Sequence, residues 1–248
     1  MLLDVKRLCK KFGSVSAAKD IDFSMAKNEV IGVIGSNGAG KTTFCNMITG
    51  YTKADSGQIF FNGKEITNLN VQEIKNIGIH RSFQIPQVFE NLGVLENLII
   101  TDLVSNNNQN SFLEDAYTEK NFIKAINLLK KFSLESFKDK LVKELPQGAR
   151  KVLDIIIAII GKPEIILLDE PTSGISTNEK IVVMETIIKA IKKLNIAVIF
   201  IEHDMEIVEK FANRVVAFYN GQILGDGRPE EILKQKDVVK YIVGSSHA

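Results

Sequence analysis

Gly35-Ser36-Asn37-Gly38-Ala39-Gly40-Lys41-Thr42-Thr43 is the stretch that decides how this chain folds. It has the spacing G-x-x-x-x-G-K-[ST], in a setting that gives the spacing physical meaning. The apolar run at 30–34 predicts a short buried strand before it, and a helix is expected directly after it. Glycines let the backbone wrap so that amide N–H groups converge on an anion, and the positive end of the following helix adds to that field. Lys41 can reach the outer phosphates as a mobile point charge, and the Thr42 hydroxyl can ligate Mg²⁺.

A second stretch answers the first. Ile165-Ile166-Leu167-Leu168-Asp169-Glu170 reads as a buried strand ending in two adjacent acids, which strand alternation points in different directions. Asp169 can then hold the Mg²⁺ shell, usually through water, while Glu170 faces a water in line with the terminal phosphate and serves as its general base. His203 follows the apolar run 196–201 and so stands at the C-terminal end of another strand, where ligands of open αβ sheets collect. Its imidazole can donate to a terminal phosphate, although a lone histidine after a strand is more often structural. Gln84 closes a short strand over 77–83 and can offer an amide oxygen to Mg²⁺ or water, but alone it is uninformative. Phe12 beside Gly13 can stack on a base; taken alone it reads more readily as a core residue.

Around these motifs the periodicity predicts strands over 2–8 and 21–25, a hairpin element at 57–61 with the turn Asn62-Gly63, and helical spacing over 91–104 and 118–132. The polar stretch 105–110 between the two helices reads as an exposed loop. After Gly148 the αβ alternation returns, with a helix to 160, a strand at 165–168, a helix over 178–194 and a strand at 197–201. This order implies a parallel sheet covered on both faces, interrupted by a helical insertion of roughly 50 residues. Strand-like runs at 214–218 and 222–224 flank Asn220-Gly221, and two short helical patterns run to 243.

Composition sets outer limits. The 248 residues carry 31 Lys+Arg against 30 Asp+Glu, a net +1 that gives no global reason to expect nucleic acid. With 45% apolar and 25% charged residues, the chain has the makeup of a folded globular protein. Its longest apolar stretches, 152–161 and 196–201, fall short of the roughly 18 residues needed to cross a bilayer, and the first contains Asp154. Residues 1–11 have no apolar core of a secretory signal, so a cytoplasmic chain is expected. Cys9 and Cys45 are too few for a disulfide framework and read as small buried side chains.

Taken together, these residues resemble the ATP-binding subunits of ABC transporters from Phe12 to about Gly244. The resemblance implies an α/β fold: a P-loop NTPase core with a mostly parallel sheet, an antiparallel β subdomain and an inserted helical subdomain. The whole chain is then one ABC ATPase domain, with core at 1–94 and 146–248 and the helical subdomain at about 95–145. It implies ATP and Mg as cofactors. Phe12 takes the adenine, residues 35–43 form the Walker A loop, and Gln84 forms the Q-loop. Asp169 is the Walker B acid, Glu170 the catalytic base and His203 the switch histidine, with Lys41 sharing in catalysis. Finer similarity lies in His80-Arg81-Ser82-Phe83-Gln84, Val94-Leu95-Glu96-Asn97-Leu98, Ile201-Glu202-His203-Asp204-Met205 and Gly227-Arg228-Pro229-Glu230-Glu231-Ile232. These stretches look like the ATP-binding subunits of branched-chain amino acid importers, with importers of urea and short amides and a lipopolysaccharide exporter ATPase as near relations.

The implied partners are a second ABC ATPase subunit, integral membrane permease subunits and, indirectly, a solute-binding protein, with the chain held at the inner face of the membrane through the permease. Two departures stand out. The family's signature loop is usually Leu-Ser-Gly-Gly-Gln, and here it is Leu145-Pro146-Gln147-Gly148-Ala149. Pro146 lacks hydroxyl and amide N–H, Gln147 replaces a glycine that approaches phosphate closely, and Pro146 is suited to the first turn of the following helix. Ser176 stands where the family's D-loop usually has Asp. Since the signature acts on the partner's nucleotide, a heterodimer with an ordinary signature is the expected pairing. The alternatives are a soluble ABC ATPase acting on a protein assembly, as in iron–sulfur cluster assembly, and a chiefly regulatory nucleotide binder.

Overall fold

A computed structural model of the chain describes residues 1–82, 88–105 and 118–244. Its centre is a six-stranded sheet in the order β10-β9-β3-β8-β7-β6. Strands β3 (Val30–Gly35), β6 (Ile79–Ser82), β7 (Ile165–Asp169), β8 (Ala197–Ile201) and β9 (Arg214–Tyr219) run parallel, and β10 (Gln222–Gly227) returns antiparallel on the edge. A second, antiparallel sheet has the order β2-β1-β4-β5, from β1 (Leu3–Phe12), β2 (Val15–Met25), β4 (Ser56–Phe61) and β5 (Lys64–Glu65). Both Asn-Gly turns close hairpins with left-handed backbone at each residue, Asn62 at φ 50° and Gly63 at 76°, Asn220 at 48° and Gly221 at 78°. That conformation matches the twist of the strands it joins.

The parallel strands β3, β7 and β8 are apolar almost along their length because both faces are covered. Ile34, Leu168, Phe200 and Ala217 face α3 (Val94–Ser105), α4 (Glu119–Lys131), α5 (Gln147–Ile159), α6 (Thr177–Lys193) and α7 (Met205–Phe211). The alternate residues Val33, Leu167, Ile199 and Phe218 face α1 (Lys41–Ile48) and the antiparallel sheet. Each fully buried Leu, Ile or Phe on either face contributes about 1.5–3 kcal/mol relative to exposure. Helix α4 joins this core through Ala125 and Leu129, with Phe122 packed beside them. Thr118 caps its start and Lys130 and Lys131 sit favourably at its negative end.

The differences from sequence expectation have local causes. Strand β1 continues past residue 8 to Phe12 because irregular pairing and a left-handed Arg7 (φ 47°) break the apolar alternation without ending the strand. The short α2 (Val71–Asn76) carries little periodicity and is defined by its caps, Asn70 accepting from the Glu73 N–H while Glu73 returns the bond. Helix α7 is also too short for a periodic signal. Helix α3 starts at Val94 rather than 91, Ser105 closes it, and residues 106–110 of the expected loop lie outside the described residues. Cys45 is fully buried as expected, its thiol pushed up to about 12 by burial. Cys9 is only half-buried, since the irregular β1 turns its sulfur toward Asp20, whose N–H donates to it at 3.3 Å. Among the described residues no helix is long and apolar enough to cross a membrane.

What the fold does for the site follows from strand order. The C-terminal ends of β3, β8 and β7 are neighbours, so the loops after Gly35, Ile201 and Asp169 emerge side by side.

Candidate active site

The loop after β3 is shaped by two glycines. At Gly35 a β-carbon would lie 2.5 Å from the Phe218 carbonyl oxygen, and at Gly40, with φ 102°, 2.3 Å from the Ala17 oxygen. No other residue fits either place, because the obstacle is backbone. The Gly221 N–H donates to Ala39 O at 2.9 Å and its carbonyl accepts from Lys19 N at 2.8 Å, which ties the loop to β9–β10 and to β2. Helix α1 starts at Lys41 with no side-chain cap and no acid in its first turn, leaving its leading N–H groups for an external anion.

Lys41 is buried and donates from Nζ to Gly35 O at 2.6 Å and Ser36 O at 3.0 Å. Burial lowers its pKa, against the opposite pull of Glu170 and Asp169. Glu170 takes a left-handed backbone (φ 47°), unusual for a residue with a side chain. Its N–H donates to Ile201 O at 3.1 Å and its carbonyl accepts from Ser173 N at 3.0 Å. Those bonds fix the turn that brings Glu170 Oε1 to 3.2 Å from His203 Nε2. Both groups, with Lys41, Thr42, Thr43 and Asn37 to Gly40, line one cavity of about 160 Å³.

Asp169 is not in that lining. Its Oδ2 accepts from Arg81 Nη2 at 2.5 Å, and Arg81 Nη1 donates to Asn46 Oδ1 on α1 at 2.5 Å. The structure therefore brings the loop, Glu170 and His203 around one space and sets Asp169 beside it under a guanidinium. Phe12 is 52% exposed at the β1–β2 turn, outside the cavity lining, with Lys10 Nζ 5.5 Å from its ring centre. Gln84 lies outside the described residues. The sequence reading missed three supporting residues: Arg81, the buried Glu202 and the buried Thr172. The available signals were a charge inside a short strand for Arg81 and a charge directly after an apolar strand for Glu202.

At the signature loop, Pro146 is the N-cap of α5, one place earlier than the first turn expected for it, since its ψ of 154° is extended. The Gln147 amide folds over Gly174, where a β-carbon would lie 2.2 Å from Nε2, and Gly148 packs on Val183. Ser176 precedes α6 and its hydroxyl donates to Glu179 Oε2 at 2.9 Å.

The profile of the ABC transporter family matches residues 18–173. The chain is a member of the ABC transporter ATP-binding family. It is 31% identical to the probable branched-chain amino acid transport ATP-binding protein LivG of Archaeoglobus fulgidus, over 98% of this chain and 96% of that one. It is equally similar, at 31%, to the high-affinity branched-chain amino acid transport ATP-binding protein BraF of Pseudomonas aeruginosa, over 99% and 98%. Among solved structures, the ADP conformation of an ATP-binding cassette of an ABC transporter superposes with a TM-score of 0.85 at 31% identity, covering 97% of each chain. As an ABC ATPase, the chain belongs to proteins that bind and hydrolyse ATP, and its mixed sheets and helices are the cassette fold.

Proposed function

We propose that ATP lies with its phosphates in the cradle of residues 35–43 and that hydrolysis resets an ATPase dimer which drives a membrane importer. The observation that carries this reading is the meeting of Glu170 and His203 over the cavity that also holds Lys41 and the start of α1. Loop N–H groups, from Ser36, Asn37, Gly38 and Ala39 onward, and the first turn of α1 bind phosphate oxygens. Lys41 exchanges its two loop carbonyls for the outer phosphates. Glu170 takes the proton of the attacking water, His203 donates to the terminal phosphate, and Phe12 carries the adenine. Thr42, Gln84 and Asp169 are oxygen donors of the kind Mg²⁺ takes, with Thr42 in the cavity lining and Asp169 at the adjoining strand end. When bound, Mg²⁺ neutralises charge on the outer phosphates.

In this reading residues 95–145 are an inserted helical subdomain, and the core is 1–94 with 146–248. A cavity of about 320 Å³ lies between them, with Tyr51, Arg81 and Phe89 on one side and Ile100, Thr101 and Val104 of α3 on the other. Tyr51, Phe89 and Val104 are exposed, which suits an apolar helix from a permease subunit. In this reading such a contact would hold the chain at the cytoplasmic face of the membrane. The relatives' names support branched-chain amino acids as the cargo; in this reading the cargo is one of these or a related small polar solute, delivered by a solute-binding protein. The partner ATPase is a different subunit carrying an ordinary signature. The test is uptake of labelled leucine by the reconstituted importer with ATP inside the vesicle. Uptake that depends on ATP and on Lys41 supports the reading; an assembled complex that hydrolyses ATP but moves only urea or short amides overturns the amino acid assignment.

A further inference from the structure

Glu202 is the first residue after β8 and is 4% exposed, yet it carries a carboxylate. Every oxygen has work that a buried acid requires. Oε1 accepts from the Thr172 N–H at 2.9 Å and from the Thr172 hydroxyl at 2.8 Å, while Oε2 accepts from the His203 N–H at 3.3 Å. Its own N–H donates to Val33 O on β3 at 3.3 Å. One residue thus ties the Thr172 loop and the His203 loop to each other and to β3. Thr172 is two residues beyond Glu170 and is itself 1% exposed, so the clamp acts on the loop that holds Glu170 in its left-handed turn. A second link runs outside it, from Lys180 Nζ on α6 to Asp204 Oδ2 at 3.1 Å.

We propose that Glu202 is a positioning residue for ATP hydrolysis, its carboxylate fixing the Glu170 loop and the His203 loop in the relative position that brings their side chains together. Glu202 does not line the cavity, so it touches neither nucleotide nor water and acts only through its two neighbours. The proposal rests on the roles of Glu170 and His203 given above. Chemistry singles out the acid. Glutamine can keep an oxygen on Thr172, but its NH₂ then faces the His203 N–H, donor against donor, and that arm opens. A displacement of about 1 Å in a catalytic group can cost as much as about a hundredfold, so a partial opening is expected to cost less.

The test measures kcat, KM and melting of the full chain with its partner ATPase subunit, in Glu202→Gln, Thr172→Val, His203→Ala and the Glu202→Gln/His203→Ala pair. Glu202→Gln is expected to lower kcat about tenfold with KM within about twofold, and to cost less than about twofold once His203 is gone. Thr172→Val loses the hydroxyl bond but keeps the backbone one, so its expected loss is smaller, about threefold; it carries the test if Glu202→Gln does not fold. Wild-type kcat in Glu202→Gln, or in Thr172→Val where that variant carries the test, overturns the proposal, as does the same loss with and without His203. If His203→Ala itself hydrolyses at the wild-type rate, the role of His203 fails instead.

Discussion

The strand-end site and the signature edge of this chain follow opposite rules. At the ends of β3, β7 and β8, residues of the family pattern are held by backbone geometry and point into shared space, Glu170 and His203 meeting at 3.2 Å. At the starts of α5 and α6, the departing residues are exposed but engaged with neighbours in their own chain: Gln147 lies over Gly174, and the Ser176 hydroxyl is occupied by Glu179. Groups that act across the dimer in the family are engaged here within their own chain. On the proposed reading, a nucleotide site is kept whole on one side while the surface facing the partner changes independently.

The largest expected effects break the first half of that comparison. Glu170→Gln should reduce ATP turnover by about 10²–10⁴-fold while leaving ATP binding intact and trapping the closed dimer, read by hydrolysis and by sedimentation with ATP. Full turnover would remove Glu170 as base. Lys41→Ala should abolish phosphate affinity, measured by titration with a fluorescent ATP analogue, because it removes the buried cation that donates to Gly35 O and Ser36 O inside the loop.

Much of this first half was legible in the sequence because it depends on residues whose chemistry is rigid. Only glycine fits against Phe218 O and Ala17 O, and an acid directly after four apolar residues marks the end of a buried strand, as at Asp169. Less legible were contacts made over long chain separations. Arg81 and Asp169 are 88 residues apart, Thr172 and Glu202 are 30 apart, and no spacing links them. Short α2 and α7 escaped as well, since caps rather than periodicity define them. The placement of Gln147 over Gly174 was unreadable because a glutamine side chain has many rotamers, and the choice was made by the space above Gly174.

The second half of the comparison gives a smaller effect of the opposite sign. With Pro146→Ser and Gln147→Gly combined, the family's hydroxyl, amide and close-approach glycine return to the start of α5. ATP hydrolysis by the homodimer should then rise about tenfold, in the range that restored anion donors can reach. Hydrolysis by the mixed dimer at the site completed by the partner's signature should stay unchanged. Equal rates for unaltered homodimer and mixed dimer would show that the departures have no consequence.

The smallest expected effect sharpens how the two halves connect. Gly174 holds φ at 74° under the Gln147 amide, four residues beyond Glu170. Gly174→Ala places a β-carbon 2.2 Å from Gln147 Nε2, but that atom ends a flexible side chain and can swing away. The lasting cost is the left-handed backbone, about 1–2 kcal/mol, seen as a lower denaturation midpoint in urea. In a Gln147→Gly background the steric part vanishes and the backbone part stays, so the two backgrounds should differ by less than about 1 kcal/mol. A larger difference would mean that Gln147 is locked over Gly174 rather than resting there, and that the signature edge and the Glu170 loop move as one body.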